Sequence, residues 1–345
     1  MPKITREVLE ASVEEESTKQ ALERALRELD EAKRHKKALV DKVYEACFDA
    51  ASAFEYPTLT PPAADLRKGT ADVAVWVMSD WQLGKRTPDY DSEVCERRVR
   101  EYGSIAKRLT EDHRSHVPVR ECHIYCLGDM IEGELIFPGQ AHRIDASLFR
   151  QLAVYGPRIL IGLIRDALAT YEKVRVVWVK GNHGDLGGRS RREMHPESNG
   201  DAMLYEIVRA RLEGDDRLTT SPTYVDGEGL WYAVDPIGDH AFFLWHGYQN
   251  QGGSALGYPW YGFGKKIGGY ATGAVPEWFD YSIAGHYHTP SRFNVGRITH
   301  WGNGSTESTN TYAQEALAAM GRPSQWLFFV HPQHGVVAEH EVKLT

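Results

Sequence analysis

The chain has few cysteines and pairs none of them in a C-x-x-C. Four occur in 345 residues: Cys47, Cys95, Cys122 and Cys126. That excludes a thiolate zinc framework and fits a reducing compartment. No apolar run approaches the length of a membrane span, so no membrane association is expected. The opening "MPKITREVLEASVEEE" is charged throughout, which argues against a secretory signal and for a cytoplasmic location. There is no excess of basic charge either. Forty Lys and Arg stand against 48 Asp and Glu, a net charge of −8. That excludes a general nucleic-acid coat but not a local basic groove.

Glycine and proline are absent between Pro2 and Pro57. Residues 1–54 are therefore expected to form one long helix. Leu22, Leu26, Leu29, Val40, Val43, Cys47, Ala50 and Phe54 trace a seam with a 3.5-type repeat, interrupted by Lys33 and Lys36. So long a polar helix is marginal alone, and self-association through it is expected. "EYPTLTPPAADLRKGT", residues 55–70, reads as a Pro-rich linker. The second domain then spans 71–345.

From residue 71 the pattern changes. "DVAVWVMSD" ends at Asp80 and "CHIYCLGD" at Asp129. "VRVVWVKGNH" ends at Asn182 and His183, "HAFFLWHG" reaches His246, and "DYSIAGHYH" ends at His286 and His288. Helical stretches at 91–112, 146–171 and 199–213 lie between several of these runs. The tail "QWLFFVHPQHGVVAEHEVKLT" reads as two further strands that finish a sheet. Apolar strands alternating with helices build layered α/β folds, whose ligands gather at the C-terminal ends of the strands. Here those ends carry Asp, Asp, Asn, His and His. Any one of them alone reads as a cap or turn former. Their joint order carries the argument.

The ordered set D-x-Q, GD, GNH, WHG and GHYH resembles the calcineurin-like metallophosphoesterase family over roughly residues 71–310. "SDWQLGK", residues 79–85, looks most like that family's Mre11/SbcD-like nuclease branch and its short phage-encoded relatives. "WGNGSTES", residues 301–308, is similar to the segment that closes such sites. The resemblance implies a four-layer α/β/β/α sandwich preceded here by the long helix. It implies two divalent ions, Mn²⁺ foremost, with Fe²⁺, Zn²⁺ or Mg²⁺ as alternatives. Asp129 would bridge them. Asp80, Gln82 and His288 would complete one ion, and Asn182, His246 and His286 the other. His183 would assist the leaving group while a shared hydroxide attacks phosphorus. The chemistry has its own logic: two cations about 3.5–4 Å apart need a carboxylate between them to offset their repulsion. Imidazole, carboxylate and amide oxygen together suit Mn²⁺, Fe²⁺ or Zn²⁺.

Two positions depart from the family pattern. Gln82 stands where the pattern has His, which implies a weaker first ion. Gly184 stands where the pattern has the acidic residue that orients the catalytic His, a task that passes to Asp185. Glu132 and Glu134 read as shaping the turn after GD. Arg189, Arg191 and Arg192 follow the GNH turn and suit phosphate contact, or form a solvated basic loop. Tyr258, Trp260 and Lys265 lie in a Gly-rich stretch between two expected ligands and could stack or hold substrate. The leading expectation is a phosphodiesterase acting on nucleic acid. The alternatives are a cyclic-nucleotide phosphodiesterase or phosphomonoesterase, and a catalytically weakened scaffold that binds partners.

Overall fold

The computed structural model describes residues 38, 40–52, 55–187, 195, 198–222, 224–225, 228–229, 231–250, 258–308 and 322–345. Most of the expected N-terminal helix lies outside these residues; 40–52 are helical. The chain divides after residue 46, and the unit from 47 onward carries everything that follows. Among the described residues no helix is long and apolar enough to cross a membrane.

In chain order the strands are β1 (Asp72–Met78), β2 (Val119–Cys126), β3 (Lys173–Trp178), β4 (Leu218–Thr220), β5 (Tyr224–Val225), β6 (Glu228–Gly229), β7 (Tyr232–Ile237), β8 (His240–Trp245), β9 (Tyr281–Ala284), β10 (Ser291–Val295), β11 (Ile298–Gly302), β12 (Ser324–His331) and β13 (Gly335–Lys343). Helices Ser92–Arg114, Gly156–Leu168, Gly200–Arg211 and Trp260–Gly269 lie between them. One sheet runs β13-β12-β1-β2-β3-β4, the other β10-β11-β9-β8-β7. β1, β2 and β3 are parallel neighbours, as are β8 and β9. The two tail strands do finish a sheet, with β12 antiparallel against β1. The expected helix at 146–171 runs without a break through Leu148–Arg150, a π-helical turn at Gln151–Tyr155, and Gly156–Leu168.

Strand alternation explains the layers. Val75 and Val77 of β1 face inward with Tyr125, Val177, Phe242, Leu244, Ile283, Trp301 and Phe328, forming the core between the sheets. Trp76, on the opposite face of β1, meets Tyr102 of the helix Ser92–Arg114 at 6.0 Å. On the second sheet's other face, Phe243 and Trp245 pack with Phe263 and Ile267 of the helix Trp260–Gly269. The result is the expected α/β/β/α order. One polar clamp crosses the inner layer. Asp235 of β7 is fully buried and accepts hydrogen bonds from His123 Nδ1 (2.5 Å), Tyr125 Oη (2.9 Å) and Arg175 Nε (2.6 Å). It ties β2 and β3 to the second sheet.

Candidate metal centre

The parallel strands β1, β2, β3, β8 and β9 release their chains at one edge of the sandwich. There the backbone takes an unusual form. Asp80, Gln82, Asp129, His286 and His288 all have φ between 49° and 72°. Non-glycine residues are uncommon in that region, and such strain clusters at functional sites. The glycines of the GN and GH pairs have a packing reason. A Cβ on Gly181 would stand 2.1 Å from Asp129 Oδ1, and one on Gly285 would stand 2.4 Å from Asp80 Oδ2. The loops pass so close that only glycine fits.

Asp129 is the centre. Its Oδ2 lies 2.9 Å from His246 Nε2, 3.4 Å from Gln82 Nε2 and 3.9 Å from His183 Nε2. Its Oδ1 accepts the backbone N–H of His183 at 2.8 Å. Asp129, His246 and His286 offer ligand atoms all within 4.8 Å of one another. Asp80 accepts the backbone N–H of His286 at 3.0 Å and meets His288 Nε2 at 3.3 Å. Asn182 sits between Gly181, which presses on Asp129, and His183, which bonds it. The seven residues expected to hold metal are therefore brought to one place.

The donor set fits divalent cations. Gln82 Oε1 and Asn182 Oδ1 are buried and make no hydrogen bond, and His246 Nε2 is buried with the Asp129 carboxylate 2.9 Å away. An unsatisfied buried polar atom is costly, and a cation is the partner that all three can take. Rotating the Gln82 amide exchanges its two ends and turns Oε1 toward Asp129 Oδ2. His246 donates Nδ1–H to Leu127 O at 2.7 Å, which makes Nε2 the nitrogen that faces the site. His288 is held likewise, its Nδ1 lying 3.2 Å from Glu307 Oε2.

The electrostatics show a concentration of negative charge. Burial alone would raise the Asp129 carboxyl, but His246 and His183 outweigh it and hold it far below the carboxylate range. Burial would lower His246 and His288. The Asp129 carboxylate lifts His246 to about 9, and Asp80 with Glu307 lifts His288 to about 10. Burial and the neighbouring imidazoles instead push His286 well below its ordinary value.

Glu132, Glu307 and Asp201 have functions that the sequence reading did not assign. The carboxylate behind His183 is Glu132, whose Oε2 lies 3.0 Å from His183 Nδ1. Asp185, expected in that role, instead accepts a hydrogen bond from Asn199 Nδ2 at 2.8 Å. Gly184 has a reason too: a Cβ there would crowd Asn199 Oδ1 and the backbone nitrogens of Gly200 and Asp201, each at 3.0 Å. A side chain there would have to push these neighbours aside, and the carboxylate arrives instead from the neighbouring loop. Glu307, from the "WGNGSTES" segment, pairs with both His288 and Lys85. Burial would raise its carboxyl, but those two partners pull it down to about 2. Asp201, at the start of the helix Gly200–Arg211, accepts four backbone N–H groups. They come from Asp129, Met130, Ile131 and Gly181, at 2.8–3.2 Å. It binds the Asp129 loop to the Asn182 loop.

The expected substrate residues are less concentrated. Arg189, Arg191 and Arg192 lie outside the described residues. Tyr258 is buried, with its ring stacked on Phe263 at 5.0 Å and its hydroxyl 3.2 Å from His300 Nε2. It is a packing residue with no open face for a base. Trp260 packs on Tyr258 and Phe293 yet remains 42% exposed. Lys265 is exposed on the same helix.

No protein-family model matches the chain, and no curated protein does. Solved structures of similar shape exist. One is an archaeal phosphodiesterase, 11% identical, with a TM-score of 0.36, covering 79% of this chain and 99% of that one. Another is a conserved Streptococcus pneumoniae protein described as a predicted phosphoesterase, 14% identical, TM-score 0.30, covering 80% and 99%. A third is Vps29 of Entamoeba histolytica in complex with Zn²⁺, 14% identical, TM-score 0.32, covering 79% and 99%. These likenesses are too distant to assign an activity, which rests on the site itself.

Proposed function

We propose that the protein is a dimetal phosphodiesterase acting on nucleic acid, with Mn²⁺ as its principal ion. One observation carries this reading. Gln82, His246 and His183 all reach the buried Asp129 carboxylate, and Gln82 Oε1 and Asn182 Oδ1 are buried beside it without a hydrogen bond. Asp129 stands where a bridge between two ions is needed. On this reading Asp80, Gln82 and His288 would hold one ion, Asn182, His246 and His286 the other, and Asp129 both. Two divalent ions held there would supply Lewis acidity toward phosphoryl oxygens and an activated water.

The chain's own residues do the rest. His183 directs Nε2 toward Asp129 and Nδ1 toward Glu132. Glu132 accepts Nδ1–H and fixes the ring's plane, and the second proton of the imidazolium, on Nε2, is the one destined for the leaving oxygen. Burial would lower the His183 pKa, but the Asp129 and Glu132 carboxylates raise it overall, which favours the protonated imidazole. Asp201 holds the two loops in register, and Glu307 holds His288.

The test is a panel. The purified chain with Mn²⁺ is assayed on single-stranded DNA, duplex DNA, a cyclic nucleotide, a phosphomonoester and bis(4-nitrophenyl) phosphate. Hydrolysis of DNA and the nitrophenyl diester is expected. His183→Ala should keep metal content and lower turnover by about 10²–10⁴. Preference for the monoester or cyclic nucleotide would reject the nucleic-acid reading, and inactivity on all five would reject the enzyme.

A further inference from the structure

The loop that supplies Glu132 also presents an aromatic ring. Phe137 lies 5.4 Å from the His183 ring, edge to face at 69°, and is nevertheless 51% exposed. A half-exposed Phe on a loose loop would mean little, but this loop is pinned. Buried Gln140 donates from Nε2 to Glu132 O (2.9 Å) and Glu132 Oε1 (3.0 Å). Its Oε1 accepts from the backbone N–H of Ile136 (2.8 Å) and Phe137 (3.3 Å). One side chain thus fixes both the carboxylate behind His183 and the backbone beneath Phe137. Gly133, between them, lies against the His183 turn, where a Cβ would come 2.4 Å from His183 O. Gln151 Oε1 accepts the Gly133 N–H at 2.9 Å.

The placement has a chemical consequence. His183 meets the leaving oxygen, so the group bonded to that oxygen emerges beside His183 and against Phe137. An apolar ring held there at the surface can stack a flat partner. We infer that Phe137 is the stacking platform for the nucleobase of the departing nucleoside. The inference rests on the phosphodiesterase reading above and narrows it to substrates with a base on the leaving side.

The experiment compares a dinucleotide with the same dinucleotide lacking the base on the departing sugar. Wild type should prefer the complete one. Phe137→Ala should lose that preference, with kcat/KM for the complete dinucleotide falling about tenfold. The loss should fall on KM, because stacking serves ground and transition states alike. Phe137→Trp should restore it. Damage to the Glu132 support would instead lower kcat on both substrates equally. An equal loss on both, or no loss on either, overturns the inference. If wild type hydrolyses neither, the phosphodiesterase reading fails. Calorimetry with a dinucleotide carrying a non-hydrolysable phosphonate linkage then decides Phe137 by itself. Weaker binding to Phe137→Ala supports the platform, and equal binding overturns it.

Discussion

On the dimetal reading, two side chains should set how well the centre works. Gln82 brings a neutral amide where imidazole would be a stronger donor. Gln82→His should lower the Mn²⁺ concentration giving half-maximal rate, and Zn²⁺ should gain more than Mg²⁺, since imidazole favours the softer ion. Gln82→Ala should raise that midpoint without abolishing binding. An unmoved midpoint in both variants would show that Gln82 is no ligand. Glu132 acts through His183, its Oε2 being 3.0 Å from Nδ1. Glu132→Gln should lower kcat by about 10–100-fold, the usual cost of a lost carboxylate behind a working imidazole. Asp185→Asn should do far less, because Asp185 bonds Asn199 instead. Equal losses in the two variants, measured as kcat on the nitrophenyl diester, would return the orienting role to Asp185.

At the scale of elements, the parallel strands aim the site and the loops finish it. Asp80, Asp129, His246, His286 and His288 were legible in the sequence because each ends an apolar run, and parallel strands in a layered fold end together. Glu132, Glu307 and Asp201 were not legible in the same way. Each takes its role from a contact across the fold: Glu132 with residue 183, Glu307 with 288 and Asp201 with 129. No spacing rule reaches such contacts. Gly184 read as a missing acid because the helix start that crowds it is invisible to a linear reading. The clearest signal for Asp201 was its place in a helix N-terminal turn, capped by Asn199, whose Oδ1 accepts the Asp201 N–H at 2.9 Å. Asp201→Asn replaces one acceptor oxygen by a donor facing backbone N–H groups. It should cost about 3 kcal/mol in urea unfolding and weaken Mn²⁺ binding about tenfold or more. Unchanged metal affinity would make Asp201 a fold residue alone.

For the whole molecule, the sandwich is expected to depend on the Asp235 clamp between its sheets. Burial would raise the Asp235 carboxyl, but His123 and Arg175 hold it below its ordinary value. Burial would lower His123, but Asp235 and Glu121 carry it above its ordinary value. The signs follow. The Asp235 contribution is present above the ordinary carboxylate pKa and fades as pH falls through the depressed one. The His123 contribution is full below the ordinary imidazole pKa and fades as pH rises through the raised one. Asp235→Asn should therefore cost about 3 kcal/mol between those limits, with a smaller penalty at alkaline pH, read from urea midpoints across pH. The molecule's central claim is that this edge of the sandwich holds two ions around Asp129. Anomalous diffraction from crystals equilibrated with Mn²⁺ tests it most directly. The account predicts two peaks about 3.5–4 Å apart, one beside Asp80, Gln82 and His288 and one beside Asn182, His246 and His286, with Asp129 between them. No peak at Asp129, or ions bound only elsewhere, would contradict it.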